Sequence, residues 1–225
     1  MLVAVGAASP AQASGYTVST PDGSGVQLLT GPSTSAVMEG NRLNEGAGLS
    51  IICQAWSAEA VGPRANHIFD KISFPPLDMA HMPWVPDASV AGTAPANQFT
   101  AGISTCDPQS TAIAWARSHL GTDKDSGYCQ RFVRSAYLAA GVDIGLGDAA
   151  AYAEAHRDKL NTTGTPPVGA LVYWWGTPDN PYGHVVLSLG DGTAVSTSER
   201  SNNTVHILNI DDRSASRPYA GWLTV

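Results

Sequence analysis

The chain has 225 residues, of which 43% are hydrophobic, and a formal net charge of −7 at pH 7. That length can bury one good core or two small ones, and the different texture of the two halves favours two domains. No stretch has the basic stripe that binds a phosphate backbone, so we expect no nucleic-acid partner. Beyond the N-terminus, no segment approaches the roughly 20 apolar residues that span a bilayer.

Residues 1–13 are small and apolar and end in A-Q-A, a pattern typical of signal-peptidase cleavage. We expect this segment to be a signal-peptide remnant cleaved near Ser14, and the mature protein to be exported. In an oxidising compartment, three cysteines suggest one disulfide and one thiol. Cys53 and Cys106 share the N-terminal half and are the economical pair, which leaves Cys129 as the thiol.

Residues 14–106 show little helical periodicity, and their short β-type runs predict a small β-barrel. The runs are Tyr16–Ser19, Val26–Leu29, Leu49–Cys53, Ile68–Ile72 and Trp84–Val90. From Asp107 onward, helices followed by strands predict an α+β domain over residues 107–225. The predicted helices cover Pro108–Leu120, Ser126–Ala140 and Asp148–Leu160.

Cys129 lies in the first turn of the second predicted helix, which Asp125 or Ser126 can cap and Gly141 can end. There the helix dipole favours thiolate, and backbone N–H groups can donate to an oxyanion. The alternative is a small buried hydrophobe, since cysteine is often fully buried. Helical spacing separates an apolar face from a polar one: Phe132, Val133, Ala136, Tyr137 and Ala140 against Gln130, Arg131 and Arg134.

His184 begins the middle one of three predicted strands, after a polar loop and before the turn at Gly190–Gly192. From the end of a strand its imidazole can face a helix N-terminus, so Cys129 and His184 are a candidate nucleophile and base. A satisfied polar residue is the plainer interpretation of a lone histidine. None of the six histidines belongs to a H-E-x-x-H pair or a C-x-x-C cluster, so we expect no metal or other cofactor.

Aromatic residues near this pair are candidates for substrate binding. Alternation along the strand puts Tyr173 and Trp175 on one face and Trp174 on the other, so at least one ring packs in the core. Trp175 on the open face, with Tyr128 and Tyr182 beside the pair, could form the wall of a groove for a glycan or a peptide. Core packing is the competing interpretation for each ring.

Four segments of the first half resemble a bacterial SH3-like domain of the kind appended to wall-lytic enzymes: G-V-Q-L-L-T-G-P-S-T-S (25–35), I-I-C-Q-A-W (51–56), H-I-F-D-K-I (67–72) and W-V-P-D-A-S-V (84–90). The resemblance implies a wall-binding module over residues 14–106. It also implies a disulfide between the cysteine before Gln54 and the cysteine at the end of the domain, which are Cys53 and Cys106. Such domains commonly have an arginine at the position that is Leu29 here, so their ligand-binding residues are not carried over to this chain.

The second half contains G-Y-C-Q-R-F-V-R-S-A-Y-L-A-A-G (127–141), P-P-V-G-A-L-V-Y-W-W (166–175), Y-G-H-V-V-L-S-L-G-D-G (182–192) and Y-A-G-W (219–222). In this order the segments resemble the NlpC-type and CHAP-like, papain-like cysteine hydrolases of peptidoglycan. The resemblance implies a helix-borne cysteine packed on an antiparallel sheet, with Cys129 as nucleophile and His184 as base. It places the third catalytic residue at Ser196, with Glu199, His206 or a backbone carbonyl as alternatives.

The sequence therefore predicts a secreted, monomeric hydrolase of the cell wall, with peptidoglycan as partner. It would act as a stem-peptide endopeptidase or as an N-acetylmuramoyl-L-alanine amidase. The typical D-C-S-G step reads Tyr128-Cys129-Gln130-Arg131 here, so substrate specificity is not carried over. Two other interpretations stay open: a non-catalytic wall-binding protein with a degenerate hydrolase domain, and an acyltransferase or lipase on the same scaffold.

Overall fold

The computed structural model describes residues 13–74, 82–197, 204–214 and 217–225. The predicted signal segment lies outside these ranges except for its last residue, and Glu199 lies outside them as well. The chain forms two compact units, one from the residues up to Ala55 with Ala60–Cys106 and one from Trp56–Glu59 with Asp107–Val225. Within the described ranges, none of the helices is long and apolar enough to cross a membrane.

The first unit contains one seven-stranded sheet. One strand, β3, escapes prediction because its sequence, V-M-E-G-N-R-L, is mostly exposed and lacks an apolar face. The sheet core is aliphatic and includes Val18, Leu28, Ile51, Ile72 and Val85. The strands are β1 (Ala13–Val18), β2 (Val26–Leu29), β3 (Val37–Leu43), β4 (Gly48–Val61), β5 (Asn66–Ser73), β6 (Trp84–Pro86) and β7 (Val90–Ala91), in the order β3-β2-β6-β5-β4-β1-β7. The strand pairs β1–β4, β1–β7, β2–β3, β2–β6 and β5–β6 are antiparallel.

A buried polar cluster lies inside this unit. The Gln54 amide donates to Asp70 Oδ1 at 2.8 Å and to Asp87 Oδ1 at 3.1 Å, and it accepts from the Thr100 N–H at 2.7 Å. Asn66 donates to the other oxygen of Asp87 at 2.7 Å. Burial raises the pKa of Asp70 well above that of an ordinary carboxyl, and the neighbouring Asp87 raises it further. Burial also raises the pKa of Asp87.

The Cys53–Cys106 disulfide joins β4 to the last residue of the first unit. Backbone hydrogen bonds flank it, from Gln54 N to Ser104 O at 2.9 Å and from Cys106 N to Gln54 O at 2.8 Å. The predicted pairing is confirmed, and Cys129 is the cysteine outside the disulfide.

The second unit is α+β, with an antiparallel five-stranded sheet. Strand β9, which begins at His184, is the central strand, and α2, which begins at Cys129, packs against α1 and against β9. The helices are α1 (Pro108–Ser118), α2 (Cys129–Ala139), α3 (Ala149–Ala155) and α4 (Ile210–Ser214). The strands are β8 (Leu171–Trp174), β9 (His184–Ser188), β10 (Thr193–Ser196), β11 (His206–Asn209) and β12 (Tyr219–Leu223), in the order β11-β10-β9-β8-β12.

The last part of β4, residues 56–59, packs with the second unit rather than with the first. The Trp56 indole N–H donates to Leu189 O at 3.1 Å, and the Trp56 backbone N–H donates to Ser110 Oγ at 2.9 Å. The Arg117 guanidinium lies 4.6 Å from the centre of the Trp56 ring. The second unit is therefore discontinuous in sequence. The predicted division at residue 106 assigns residues 56–59 to the first unit instead.

Candidate active site

Helix α2 begins at Cys129, later than the sequence predicts. Gly127 has φ +77°, which a helix cannot contain, and Tyr128 is the N-cap but makes no side-chain capping hydrogen bond. Ala140 is the C-cap and Gly141, with φ +77°, ends the helix as predicted. Cys129 is half-buried at the first helical position, where the helix dipole favours the thiolate.

The residues before α2 form a turn, so neither Asp125 nor Ser126 is the cap that the sequence predicts. Asp125 has φ +51°, and its carboxylate accepts from Arg131 Nε at 2.6 Å instead of from the helix backbone. The Thr197 hydroxyl donates to Lys124 O at 2.9 Å. This bond ties the turn to the residue that follows β10.

The buried face of α2 fixes the position of its first turn. Gln130 departs from the prediction, because it is 2% exposed although the helical pattern placed it on the polar face. The Tyr173 hydroxyl on β8 donates to Gln130 Oε1 at 3.5 Å. The spacing i, i+3, i+7 relates Gln130 to Val133 and Tyr137 and is the signal that could have identified it. The predicted apolar positions are fully buried, except for the half-buried Ala140: Phe132, Val133, Ala136 and Tyr137.

His184 opens the central strand and is fully buried, opposite Trp174 on β8. Gly183 before it has φ +70°, and a Cβ at that position would lie 2.6 Å from Trp174 O and 3.0 Å from Ala150. Only glycine allows the chain to enter the strand this close to β8 and α3. The Ala150 N–H donates to Tyr182 O at 2.9 Å, which holds the first turn of α3 against the same loop.

Ser196, the last residue of β10, contacts the imidazole. Its Oγ lies 3.0 Å from His184 Nε2, and its hydroxyl donates to Thr197 O at 2.9 Å. A hydroxyl has one proton, so Ser196 accepts at the imidazole contact and the proton of that contact belongs to Nε2. Nδ1 is then the basic nitrogen of the neutral ring.

Of the other predicted candidates for the third position, the structure describes His206. His206 on β11 pairs with Ser196. Its Nδ1 lies 2.9 Å from Thr204 O, so this nitrogen contacts the backbone just before its own strand. Glu199 is outside the described residues. Among the residues that the structure describes, Ser196 is therefore the predicted candidate that lies against the His184 ring.

Cys129 lines a cleft of about 560 Å³. One wall is the first turn of α2, a second is 147–149 at the start of α3, and a third is the loop 180–183 that leads into His184. Asp148 caps α3 by accepting from Ala151 N at 2.7 Å, which holds the second wall in place. The proposed nucleophile thus lines an open space bordered by the loop that leads into the proposed base.

The predicted substrate-binding residues divide into two groups. Tyr128 and Tyr182 line the cleft and are 60% and 66% exposed, and Arg131 stacks over the Tyr128 ring at 4.1 Å. Trp175 is not among the lining residues. Its ring lies under the Arg157 guanidinium, whose central carbon is 4.8 Å from the centre of the Trp175 ring. Two exposed aromatic rings therefore border the cleft, and the third predicted ring does not.

No family model matches the sequence, and no curated protein matches it. Among solved structures, the chain is similar to NlpC2 from Trichomonas vaginalis (13% identity, 93% of this chain and 72% of that chain, TM-score 0.43) and to NlpC1 from Trichomonas vaginalis (11%, 99% and 97%, TM-score 0.41). It is also similar to an NlpC/P60 family protein from Bacillus cereus (15%, 93% and 62%, TM-score 0.37). Similarities this distant assign no residue roles.

Proposed function

We propose that the chain is a cysteine hydrolase that cleaves a peptide or amide bond of peptidoglycan through an acyl-enzyme on Cys129. The observation that carries this proposal is the geometry around the cleft. Cys129 begins α2 at the cleft, and the buried His184 opens the strand against which that helix packs. The substrate class comes from the sequence motifs that resemble peptidoglycan hydrolases.

The reaction follows from the arrangement of the imidazole. Because Ser196 accepts from Nε2, Nδ1 of His184 takes the proton of the Cys129 thiol. The thiolate attacks the substrate carbonyl and forms a carbon–sulfur bond, while the carbonyl electron pair moves to oxygen. When that pair returns, the carbon–nitrogen bond breaks and the imidazolium protonates the leaving amine. Water, activated by the same His184, then hydrolyses the thioester and restores the thiol.

Ser196 has a positioning role in this scheme. As a neutral hydroxyl it holds the ring tautomer, but it gives the imidazolium less electrostatic support than a carboxylate gives. Tyr128 and Tyr182 present exposed ring faces at the cleft, which suits stacking on a sugar ring or packing on a peptide. The first unit would act as the wall-binding SH3-like module of an exported protein.

Digestion of purified sacculi tests the proposal. We expect the wild type to release fragments that Cys129→Ala does not release, and mass spectrometry identifies the bond. A new free amino group on diaminopimelate indicates an endopeptidase, and a free lactyl carboxylate on muramic acid indicates an amidase. Binding to sacculi with no release by either variant would support a non-catalytic wall-binding protein. Turnover of a lipid ester with intact sacculi would support the acyltransferase or lipase alternative.

A further inference from the structure

A buried amide that the reaction above does not use lies next to the proposed nucleophile. Gln130 follows Cys129 in the first turn of α2, is 2% exposed and lines the cleft. Among the residues that the structure describes, Gln130 Nε2 has no hydrogen-bond partner. Buried amide donors are paired in nearly all protein interiors, so an unpaired donor on a residue that lines a cleft points to a ligand as its partner.

Tyr173 on β8 sets the orientation of the Gln130 amide. Tyr173 is fully buried, and its hydroxyl donates to Gln130 Oε1 at 3.5 Å. Burial raises the pKa of Tyr173, so the phenol keeps its proton and requires an acceptor. Oε1 is that acceptor, and Nε2 is therefore the end of the amide that can donate to a further group.

We propose that Gln130 Nε2 donates to the oxyanion that forms when Cys129 attacks a substrate carbonyl, as a second donor beside the backbone N–H of Cys129. The inference rests on the acyl transfer proposed above. The carbonyl oxygen carries a full negative charge only after the carbon–sulfur bond has formed. A fixed amide donor therefore stabilises the transition state more than the bound substrate, which raises kcat with little change in KM.

Two reagents separate this role from a structural one. p-Nitrophenyl acetate acylates a thiolate through a tetrahedral oxyanion, whereas iodoacetamide alkylates it at a saturated carbon without one. We expect Gln130→Met to slow acylation of Cys129 by roughly 10²–10³-fold and to leave alkylation within about twofold of the wild type. Gln109→Met is the matched control, because Gln109 donates to Val225 O at 3.2 Å and is not among the cleft-lining residues. It should change neither rate.

Tyr173→Phe is a second, milder variant, because it removes the hydroxyl that orients Oε1 and keeps the amide. We expect it to slow acylation by about threefold to tenfold, with alkylation unchanged. If Gln130→Met does not fold, Gln130→Glu replaces it, since a carboxylate keeps the shape and puts an acceptor where the donor is needed.

The possible outcomes separate this inference from the proposed function. Acylation of the Gln130 variant within about threefold of the wild type overturns the inference, as does an equal loss of acylation and alkylation. If p-nitrophenyl acetate does not acylate Cys129 of the wild type, the proposed function fails. An effect on acylation alone supports Gln130 as the oxyanion donor.

Discussion

The dipeptide Cys-Gln occurs in both units of the chain, and the two copies have opposite environments. In the first unit, Cys53 is in a disulfide, and both ends of the Gln54 amide are hydrogen-bonded. In the second unit, Cys129 is a half-buried thiol at a cleft, and the Gln130 amide nitrogen has no partner among the described residues. Both glutamines are buried to almost the same degree, at 0% and 2% exposure.

This difference in hydrogen bonding distinguishes a structural polar cluster from the proposed oxyanion site. A buried donor that bonds two carboxylates contributes to the stability of one arrangement of the surrounding chain. A buried donor without a partner destabilises the fold by about 1–3 kcal/mol. The second unit tolerates such a donor at the cleft, where a reacting substrate can supply the acceptor. Burial alone does not distinguish the two roles, but the hydrogen-bond partners do.

The largest expected contrast is between the cysteines. Cys129→Ser should lower acylation by roughly 10⁴-fold or more without changing stability, because it removes the nucleophile and keeps the volume. The double variant Cys53→Ala, Cys106→Ala should lose about 4 kcal/mol of unfolding free energy, because the crosslink closes a long loop. Its acylation rate, measured while the chain is folded, should match the wild type. A reversed pattern, in which Cys129→Ser lowers stability and leaves acylation unchanged, would contradict the proposed roles of the cysteines.

The glutamines should show the same contrast in stability. Gln54→Met removes the donor shared by Asp70 and Asp87 and leaves buried acceptors unsatisfied, so we expect a loss of about 3 kcal/mol or more. Gln130→Met removes one donor without a partner but leaves the Tyr173 hydroxyl without its acceptor, and because these two effects offset each other we expect a change within about 1 kcal/mol. Urea unfolding measures both. Equal losses at the two positions would assign Gln130 a structural role.

Ser196 should have a smaller effect on the reaction. Ser196→Ala removes the hydrogen bond that holds the His184 tautomer, and we expect acylation to fall by about fivefold to tenfold, which is the value of one hydrogen bond. Ser188→Ala is the matched control, because Ser188 is equally buried on β9 but donates to Pro166 O. Equal effects of the two substitutions would show that Ser196 acts only through the packing of the sheet.

The smallest effect concerns pH. Burial, and secondarily Asp87, raises the folded-state pKa of Asp70 above its unfolded value, so the folded state binds the proton more tightly. The stability that protonated Asp70 contributes is fully present below the pKa of Asp70 in the unfolded state, and it is lost as pH rises through the pKa of Asp70 in the folded state. We expect Asp70→Asn to reduce this loss, with unfolding followed from mildly acidic to mildly alkaline pH. An unchanged pH dependence in the variant would contradict the assignment.

Local patterns predicted the elements whose sequence repeats with the structural period. Val26–Leu29 is a strand with the predicted bounds, His184 opens a strand, and Ser196 lies on the strand after the turn. Strand β3 was missed because sheet pairing, not an apolar face, forms it. The sequence does not predict that residues 56–59 pack with the second unit. Trp56 bonds to Ser110 and Leu189, and both lie far from it in the sequence. The burial of Gln130 is not predicted by its polar side chain, although its spacing puts it on the buried face of the helix.

Alkylation of the wild type with iodoacetamide measures the reactivity of the proposed nucleophile, because Cys129 is the cysteine outside the disulfide. At about pH 6, a model thiol is almost fully protonated and reacts slowly, whereas a cysteine at a helix N-terminus beside a basic imidazole reacts as a thiolate. We predict that Cys129 reacts much faster than a model thiol, that His184→Ala removes most of this advantage, and that Cys129→Ala removes all labelling. Reaction at the rate of a model thiol would contradict the assignment of Cys129 as an activated nucleophile.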